Sequence, residues 1–143
     1  MKTGSKGIKL IKEFEGFKSQ AYLCPANVWT IGYGTTSGVK KGQMVTEEQA
    51  IKLLQDDLAK FEKAVKNLVR VPLNQDQFDA LVAFVYNIGV GAFSRSTLLS
   101  LLNQGNYEAV PEQLLRWNKA GGRVLNGLTR RRQAEGKLFK SEV

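Results

Sequence analysis

The feature that most constrains the fold is a long amphipathic segment in the middle of the chain. Between Thr46 and Pro72, apolar side chains recur three or four residues apart, at Ile51, Leu54, Leu58, Phe61, Val65 and Leu68. This spacing places them on one face of an α-helix. Thr46 followed by Gln49 has the form of a capping box, which marks a helix start. The segment therefore predicts one long helix whose apolar stripe packs into a core.

Length and composition are sufficient for a folded core. The 143 residues, 43% of them apolar, can form one compact domain or two small lobes that share the long helix. The N-terminal stretch MKTGSKGIKLIKEFEG contains no apolar run long enough for a signal peptide or a membrane anchor. We therefore expect synthesis in the cytoplasm and no stable membrane insertion.

A glutamate ends the first helical segment. Apolar residues recur there at three-residue spacing, at Ile8, Ile11, Phe14 and Phe17. Gly16 stands where a helix ends in the left-handed conformation, so Glu15 lies at the negative end of the helix dipole, near aromatic side chains. Both surroundings favour a protonated carboxyl. Glu15 is thus a candidate general acid, although the same pattern also describes an exposed glutamate at a helix end.

A β-hairpin is predicted directly after this helix. Residues 22–24 and 28–31 are β-favouring runs, and residues 25–27, Pro-Ala-Asn, are typical of a tight turn. Such a hairpin brings Cys24 close to Thr30. Strand alternation directs the Thr30 hydroxyl away from the large apolar side chains. We therefore expect Thr30 to line a cleft. The glycines that follow would suit close approach by an extended polymer, although glycines in a strand more often mark only a bulge or a bend.

The rest of the chain is predicted to be helical. Capping residues, apolar spacing and glycine stops predict helices over about residues 74–88, 96–102, 108–120 and 130–139, with Pro111 in or near the first turn of the third.

Composition excludes several chemistries. The chain has no histidine and a single cysteine, which excludes zinc amidases that bind metal through histidine, Cys-His peptidases, Cys-rich zinc sites and internal disulfides. We expect no metal and no cofactor.

The chain is strongly basic. The 21 Lys and Arg residues against 13 Asp and Glu give a net charge of +8, which would suit binding to anionic bacterial walls or would simply reflect solvated helix faces. Aromatic residues are not interleaved with the basic cluster, so we expect no nucleic-acid binding.

The spacing of Glu15, Cys24 and Thr30, with EGF, TIGYG and the tail WNKAGGRVLNGLTRRRQAEGKLF, resembles the phage lysozyme (endolysin) family, the muramidases of glycoside hydrolase family 24. The similarity extends from about Gly7 to Phe139 and includes VPLNQDQFDALVAFVYNIGVGAFSRSTLL. It implies a predominantly helical α+β, lysozyme-like fold in a single catalytic domain.

The resemblance also implies where the lobes lie. A small N-terminal sheet lobe, about residues 18–45, would be joined by the long helix, about 46–69, to a helical lobe. That lobe would comprise about residues 70–143 together with the N-terminal helix.

The resemblance implies roles for three residues. Glu15 is the general acid, Thr30 helps to hold the attacking water, and Cys24 stands where the family usually has aspartate, a variant found in lambdoid-type relatives. Cys24 is then either a nucleophile or a base that orients water, unless it is a small buried hydrophobe. Thr35 stands where relatives often carry histidine.

Matching positions give five candidate substrate contacts: Thr36, Tyr86, Asn87, Ser96 and Asn126. The alternatives are a core position for Tyr86 and helix caps for Ser96 and Asn126. In the final helix, Arg131, Arg132 and Glu135 are expected to form an internal ion-pair network.

The function implied is hydrolysis of the β-1,4 bond between N-acetylmuramic acid and N-acetylglucosamine in peptidoglycan, causing bacterial lysis. The alternatives are a lytic transglycosylase that uses Glu15 alone and a non-catalytic wall-binding domain. Enzymes of this kind need a pore-forming holin to pass from the host cytoplasm to the periplasm or wall, and we expect a monomer.

Overall fold

The computed structural model describes residues 1–141. Its elements, in chain order, are α1 Ser5–Glu15, β1 Lys18–Leu23, β2 Trp29–Gly32, α2 Glu47–Leu68, α3 Gln75–Ile88, α4 Val90–Ser94, α5 Thr97–Asn103, a 3₁₀ turn Tyr107–Ala109, α6 Val110–Leu115, β3 Lys119–Ala120, β4 Arg123–Val124 and α7 Asn126–Lys140. The prediction of a predominantly helical α+β fold with a small N-terminal sheet is confirmed. None of the helices in the described part of the chain has both the length and the apolar content that crossing a membrane requires.

The chain divides into two compact units. The sheet-bearing unit is Ile11–Lys60, which holds the end of α1, strands β1 and β2, and the first part of α2. The helical unit consists of Met1–Leu10 and the chain from Phe61 onward. Helices α1 and α2 therefore each contribute residues to both units.

The sheet of the first unit is built around one antiparallel hairpin. Tyr22 lies opposite Thr30 in β1 and β2, and Leu23 lies opposite Trp29. Residues 43–45 also pair with β1, through backbone hydrogen bonds of 2.9 and 2.8 Å. All of this pairing falls within the residues predicted for the sheet.

The predicted starts of α2 and α3 are capped as expected. The Thr46 hydroxyl accepts from the Gln49 N–H at 3.1 Å, and Gln49 Oε1 accepts from the Thr46 N–H at 2.9 Å. Asn74 and Gln77 exchange the same two bonds at the start of α3. Reciprocal bonds of this type satisfy N–H groups that would otherwise have no partner in the first turn. The long helix α2 therefore begins where its sequence predicts.

The core of the helical unit surrounds α3. Residues 78–85 of this helix are all buried. The Phe84 ring meets the edges of Phe93 and Trp117 at centroid distances of 6.3 and 5.8 Å. Such edge-to-face pairs add to the free energy of apolar burial. An almost entirely buried helix explains why this segment is so apolar.

The structure corrects the sequence prediction near the C-terminus. The helix predicted to run to residue 120 ends at Leu115, and β3 and β4 form a second hairpin. Gly121 and Gly122 have φ values of +59° and +79°, so they form the turn of that hairpin and do not stop a helix. Strands this short carry no periodic pattern. The final helix, α7, begins at Asn126 and includes residues 130–139, as predicted.

The predicted internal ion-pair network is confirmed. Arg131 Nε and Arg132 Nε lie 3.3 and 3.0 Å from the two carboxyl oxygens of Glu135, and all three side chains are buried. Arg131 Nη2 also donates to the Ala83 carbonyl at 3.0 Å, and Arg132 Nη2 donates to Asn87 Oδ1. Burial raises the pKa of Glu135 to about 7, against the opposing effect of both guanidinium groups.

Candidate active site

Glu15 is the last residue of α1 and is half-buried. Gly16 follows at φ +72°, and its N–H donates to the Lys12 carbonyl at 3.0 Å. A side chain is strained at that φ, so glycine suits the left-handed end of the helix. The prediction that Glu15 closes the first helix is confirmed.

A five-residue connection, residues 24–28, joins β1 to β2 and begins with Cys24. The Cys24 N–H donates to the Val28 carbonyl at 3.0 Å, and the Asn27 N–H donates to the Cys24 carbonyl at 2.8 Å. Asn27 has φ +62°, a conformation that asparagine tolerates better than most residues. The predicted hairpin is confirmed. These backbone bonds and the conformation of Asn27 explain why the chain reverses direction at residues 24–28.

Hydrogen-bond donors surround the Cys24 thiol. The backbone N–H groups of Val28 and Ala26 lower the pKa of Cys24 against the opposing effect of burial, and the Thr30 hydroxyl, within hydrogen-bonding reach, lowers it by a smaller amount. The hydrogen bond that Thr30 Oγ1 donates is to the Val28 carbonyl, at 3.0 Å. The structure thus brings Cys24 and Thr30 together, as predicted. Donors aimed at sulfur favour the thiolate, which is the reactive form of cysteine.

The cleft position predicted for Thr30 stays a prediction, and the strand that carries Thr30 is mostly buried. Strand β2 is buried on both faces: Thr30 is 5% exposed, and Ile31 is fully buried. Gly32 has φ +66°, and a Cβ added there would lie 3.0 Å from Ala50 Cβ in α2. Gly32 is therefore required by the close approach of α2, not by room for a polymer. The Thr30 hydroxyl is directed to the hairpin itself.

Two hydrogen bonds just after β2 were missed from the sequence. The Tyr33 hydroxyl donates to Glu47 Oε2 at 2.6 Å, and burial together with Glu47 raises the pKa of Tyr33 to about 12. The Thr35 hydroxyl donates to Asp57 Oδ2 at 2.6 Å, and burial raises the pKa of Asp57. Both bonds connect the residues after β2 to α2. No local pattern signals them, because their partners are far apart in sequence.

Three candidate substrate contacts are accessible or partly accessible. Thr36 is exposed in the turn after β2, in the sheet-bearing unit. In the helical unit, Tyr86 is half-buried near the end of α3, with its ring 5.2 Å from that of Phe61. The adjacent Asn87 is exposed, and its bond from Arg132 fixes its amide orientation.

The other two candidates have different local roles. Ser96 caps α5: its hydroxyl accepts from the Leu99 N–H at 3.1 Å and donates to the Phe93 carbonyl at 2.7 Å. The helix-cap alternative is thus confirmed for Ser96. Asn126 is exposed and is the first residue of α7, whose cap position is Leu125. The cap alternative is wrong for Asn126.

The candidate site contains a carboxyl, a thiol and a hydroxyl. Across residues 1–141, Cys24 and the acidic side chains do not gather into any group of three that could hold a metal ion. A carboxyl at a helix end, a thiol with lowered pKa and a neighbouring hydroxyl are the groups that proton transfer and nucleophilic attack require.

Comparison with known proteins places the chain in a family. The phage lysozyme profile matches residues 12–135. The endolysin of Salmonella phage P22 is 42% identical over 146 residues, covering 99% of this chain and 99% of the relative. The endolysin of Bacillus phage B103 is 47% identical over 142 residues; the match covers 97% of this chain but only 54% of that relative.

Solved structures agree with these matches. The muramidase domain of SpmX from Asticaccaulis excentricus superposes with a TM-score of 0.93 at 43% identity, covering 97% of each chain. The profile match spans most of the chain, and the P22 match spans nearly all of both proteins. The chain therefore belongs to the phage lysozyme family.

Proposed function

We propose that this chain is a muramidase of glycoside hydrolase family 24, which cleaves the β-1,4 bond between N-acetylmuramic acid and N-acetylglucosamine and so lyses bacteria. One observation supports the proposal most strongly. Glu15, at a helix end, lies in the same compact unit as Cys24 and Thr30, which are neighbours in a hairpin. Family membership supports it, because relatives are endolysins and a solved relative is a muramidase domain.

In the proposed mechanism, Glu15 protonates the glycosidic oxygen as the bond to the sugar breaks. The attacking group approaches the anomeric carbon from the opposite side, as in other glycosidases. That group is a water molecule oriented by Cys24 and Thr30, or the Cys24 thiolate itself. The lowered pKa of Cys24 supports a part for the thiolate in either route.

The two routes differ in stereochemistry. Direct attack by water inverts the anomeric carbon in one step. Attack by the thiolate forms a thioglycoside and releases the leaving sugar, after which water displaces sulfur and restores the thiol, so the configuration is retained overall. The anomer first released therefore identifies the attacking group.

The family also supports a biological setting. We propose peptidoglycan as the substrate, no metal or cofactor, no nucleic-acid partner and a monomeric enzyme. Synthesis would occur in the host cytoplasm, with a pore-forming holin allowing release to the periplasm or wall at lysis. The net charge of +8 would favour encounter with the anionic wall.

Product analysis tests the proposed reaction. Purified peptidoglycan or permeabilised Gram-negative cells are treated with the protein, turbidity is followed, and the soluble products are analysed by mass spectrometry. We expect loss of turbidity and hydrated, reducing muramic-acid ends. Products one water lighter, with 1,6-anhydro ends, would instead show a lytic transglycosylase that uses Glu15 alone. Binding without any soluble product would show a wall-binding domain.

Substitution of Cys24 tests its part in the reaction. Cys24→Ala is expected to lower kcat by about 100-fold, because it removes the group that attacks or orients water. Cys24→Asp places a carboxylate where the family usually has one and should stay within about tenfold of wild type if Cys24 orients water. Both variants are assayed on soluble peptidoglycan fragments after their folding is checked by circular dichroism. Undiminished turnover by Cys24→Ala would remove Cys24 from the mechanism.

A further inference from the structure

Tyr33 connects three segments of the sheet-bearing unit from a buried position. It follows β2 directly and is 2% exposed. Its hydroxyl donates to Oε2 of Glu47, the first residue of α2, at 2.6 Å. Lys12 Nζ in α1 lies 3.7 Å from the same oxygen and 5.7 Å from the centroid of the Tyr33 ring. The Phe17 ring lies 5.7 Å from the Tyr33 ring at an interplanar angle of 46°.

The two residues that contact the Tyr33 ring, Lys12 and Phe17, lie on either side of Glu15 in the sequence. Lys12 is about one helical turn before Glu15, and Phe17 is two residues after it. Between them Gly16 has φ +72° and no side chain to anchor the backbone. The backbone on either side of Glu15 is therefore held where Lys12 and Phe17 meet the Tyr33 ring.

Tyr33 is also tied closely to the hairpin. The N–H of Ile31 donates to the Thr35 carbonyl at 2.9 Å, and the N–H of Thr35 donates to the Ile31 carbonyl at 3.0 Å. This pair of bonds closes a tight turn around Tyr33 next to Thr30. The backbone of Tyr33 is therefore held close to Thr30.

Among the contacts that join Lys12, Phe17, Tyr33 and Glu47, those of the Tyr33 ring contribute most. The Lys12 and Glu47 side chains are 32% and 58% exposed, so their ion pair contributes little to stability. Because burial and Glu47 raise the pKa of Tyr33 to about 12, its hydroxyl remains a donor at neutral pH. The rigid part is thus a protonated phenol packed against Phe17.

We propose that Tyr33 is a positioning residue for the hydrolysis, whose ring holds the Glu15 end of α1 at a fixed place relative to the Cys24–Thr30 hairpin. This inference rests on the proposed role of Glu15 as the acid. Displacement of a reacting group by about 1 Å can lower a rate about 100-fold. Tyr33 acts through the position of Glu15, so its loss should appear in kcat and not in KM.

The test compares Tyr33→Leu, which removes the ring, with Tyr33→Phe, which removes only the hydroxyl. Tyr107→Phe is the matched control, because the Tyr107 hydroxyl makes a similar 2.6 Å bond, to the Pro72 carbonyl in the helical unit. Rates on soluble peptidoglycan fragments are measured well below each melting temperature. We expect Tyr33→Leu to lower kcat about 30-fold with KM within about twofold, and Tyr33→Phe to restore kcat to within about fivefold of wild type.

Three results would overturn the inference while the wild type remains active: kcat of Tyr33→Leu within about threefold of wild type, a loss confined to KM, or a Tyr33→Phe variant as slow as Tyr33→Leu. If Tyr33→Leu does not fold, Phe17→Leu replaces it, because Phe17 is 38% exposed and its loss should be tolerated. Unchanged kcat in that variant would likewise overturn the inference. An inactive wild-type chain would refute the proposed function itself, and this inference with it.

Discussion

Replacing Glu15 by glutamine is expected to lower the lytic rate by about 1,000-fold or more. Glutamine has nearly the same shape but no proton to give to the glycosidic oxygen, so the bond would have to break without acid assistance. Because glutamine matches glutamate in size and Glu15 is the last residue of α1, the helix should be little affected. Loss of activity would therefore not be due to unfolding. Turbidity loss and release of reducing ends measure the effect.

Glu13→Gln is the matched control for this variant. Glu13 is exposed in the same helix, two residues before Glu15, and carries the same charge. It should retain wild-type lysis, because the proposed chemistry assigns it no role. Near-normal lysis by Glu15→Gln would refute the proposed muramidase activity. Equal loss in both variants would point to a general effect of charge on wall binding.

The largest effect on stability is expected from Glu135→Ala. The carboxylate lies 3.3 and 3.0 Å from Arg131 and Arg132, and the exposed fractions of the three side chains are 5% or less. Removing it leaves two guanidinium groups buried together with no opposite charge. Breaking a buried pair from one side typically costs about 3–5 kcal/mol. For a chain of this length, that corresponds to a fall in Tm of about 10–20 °C.

Thermal and urea unfolding followed by circular dichroism measure this prediction. Glu135→Gln keeps the volume and one acceptor oxygen, so its loss of stability should be smaller than that of alanine. Glu112→Ala, on the exposed surface of α6, should change the free energy of unfolding by less than about 0.5 kcal/mol. A cost below about 1 kcal/mol for Glu135→Ala would show that Arg131 and Arg132 reach solvent readily once Glu135 is gone.

Local chemistry in the sequence was enough for the elements that carry the candidate site. The end of α1 depends on Gly16, the hairpin turn on residues 25–27, and the start of α2 on the exchange between Thr46 and Gln49. In each case the interacting groups lie within five residues of one another. Interactions over such short separations depend mainly on the local sequence, so those with a recognisable capping or turn pattern can be predicted from it.

The features that were not predicted from the sequence lacked such local patterns. The end of α6 and the second hairpin were missed because each strand of that hairpin has only two residues and no periodic pattern. The burial of Thr30 was not predicted, because strand alternation does not show which side chains other elements cover. Burial of this kind depends on chain segments that approach from elsewhere in the fold.

The sequence by itself determined the helical class, the hairpin that joins Cys24 to Thr30 and the position of Glu15 at a helix end. It also predicted the network around Glu135, because that network lies within one turn of a single helix. Only the tertiary structure decided that Tyr33 meets Glu47 and that Gly32 meets Ala50, since these partners are 14 or more residues apart. Contacts at such separations depend on how whole elements pack, and that packing is a property of the complete core.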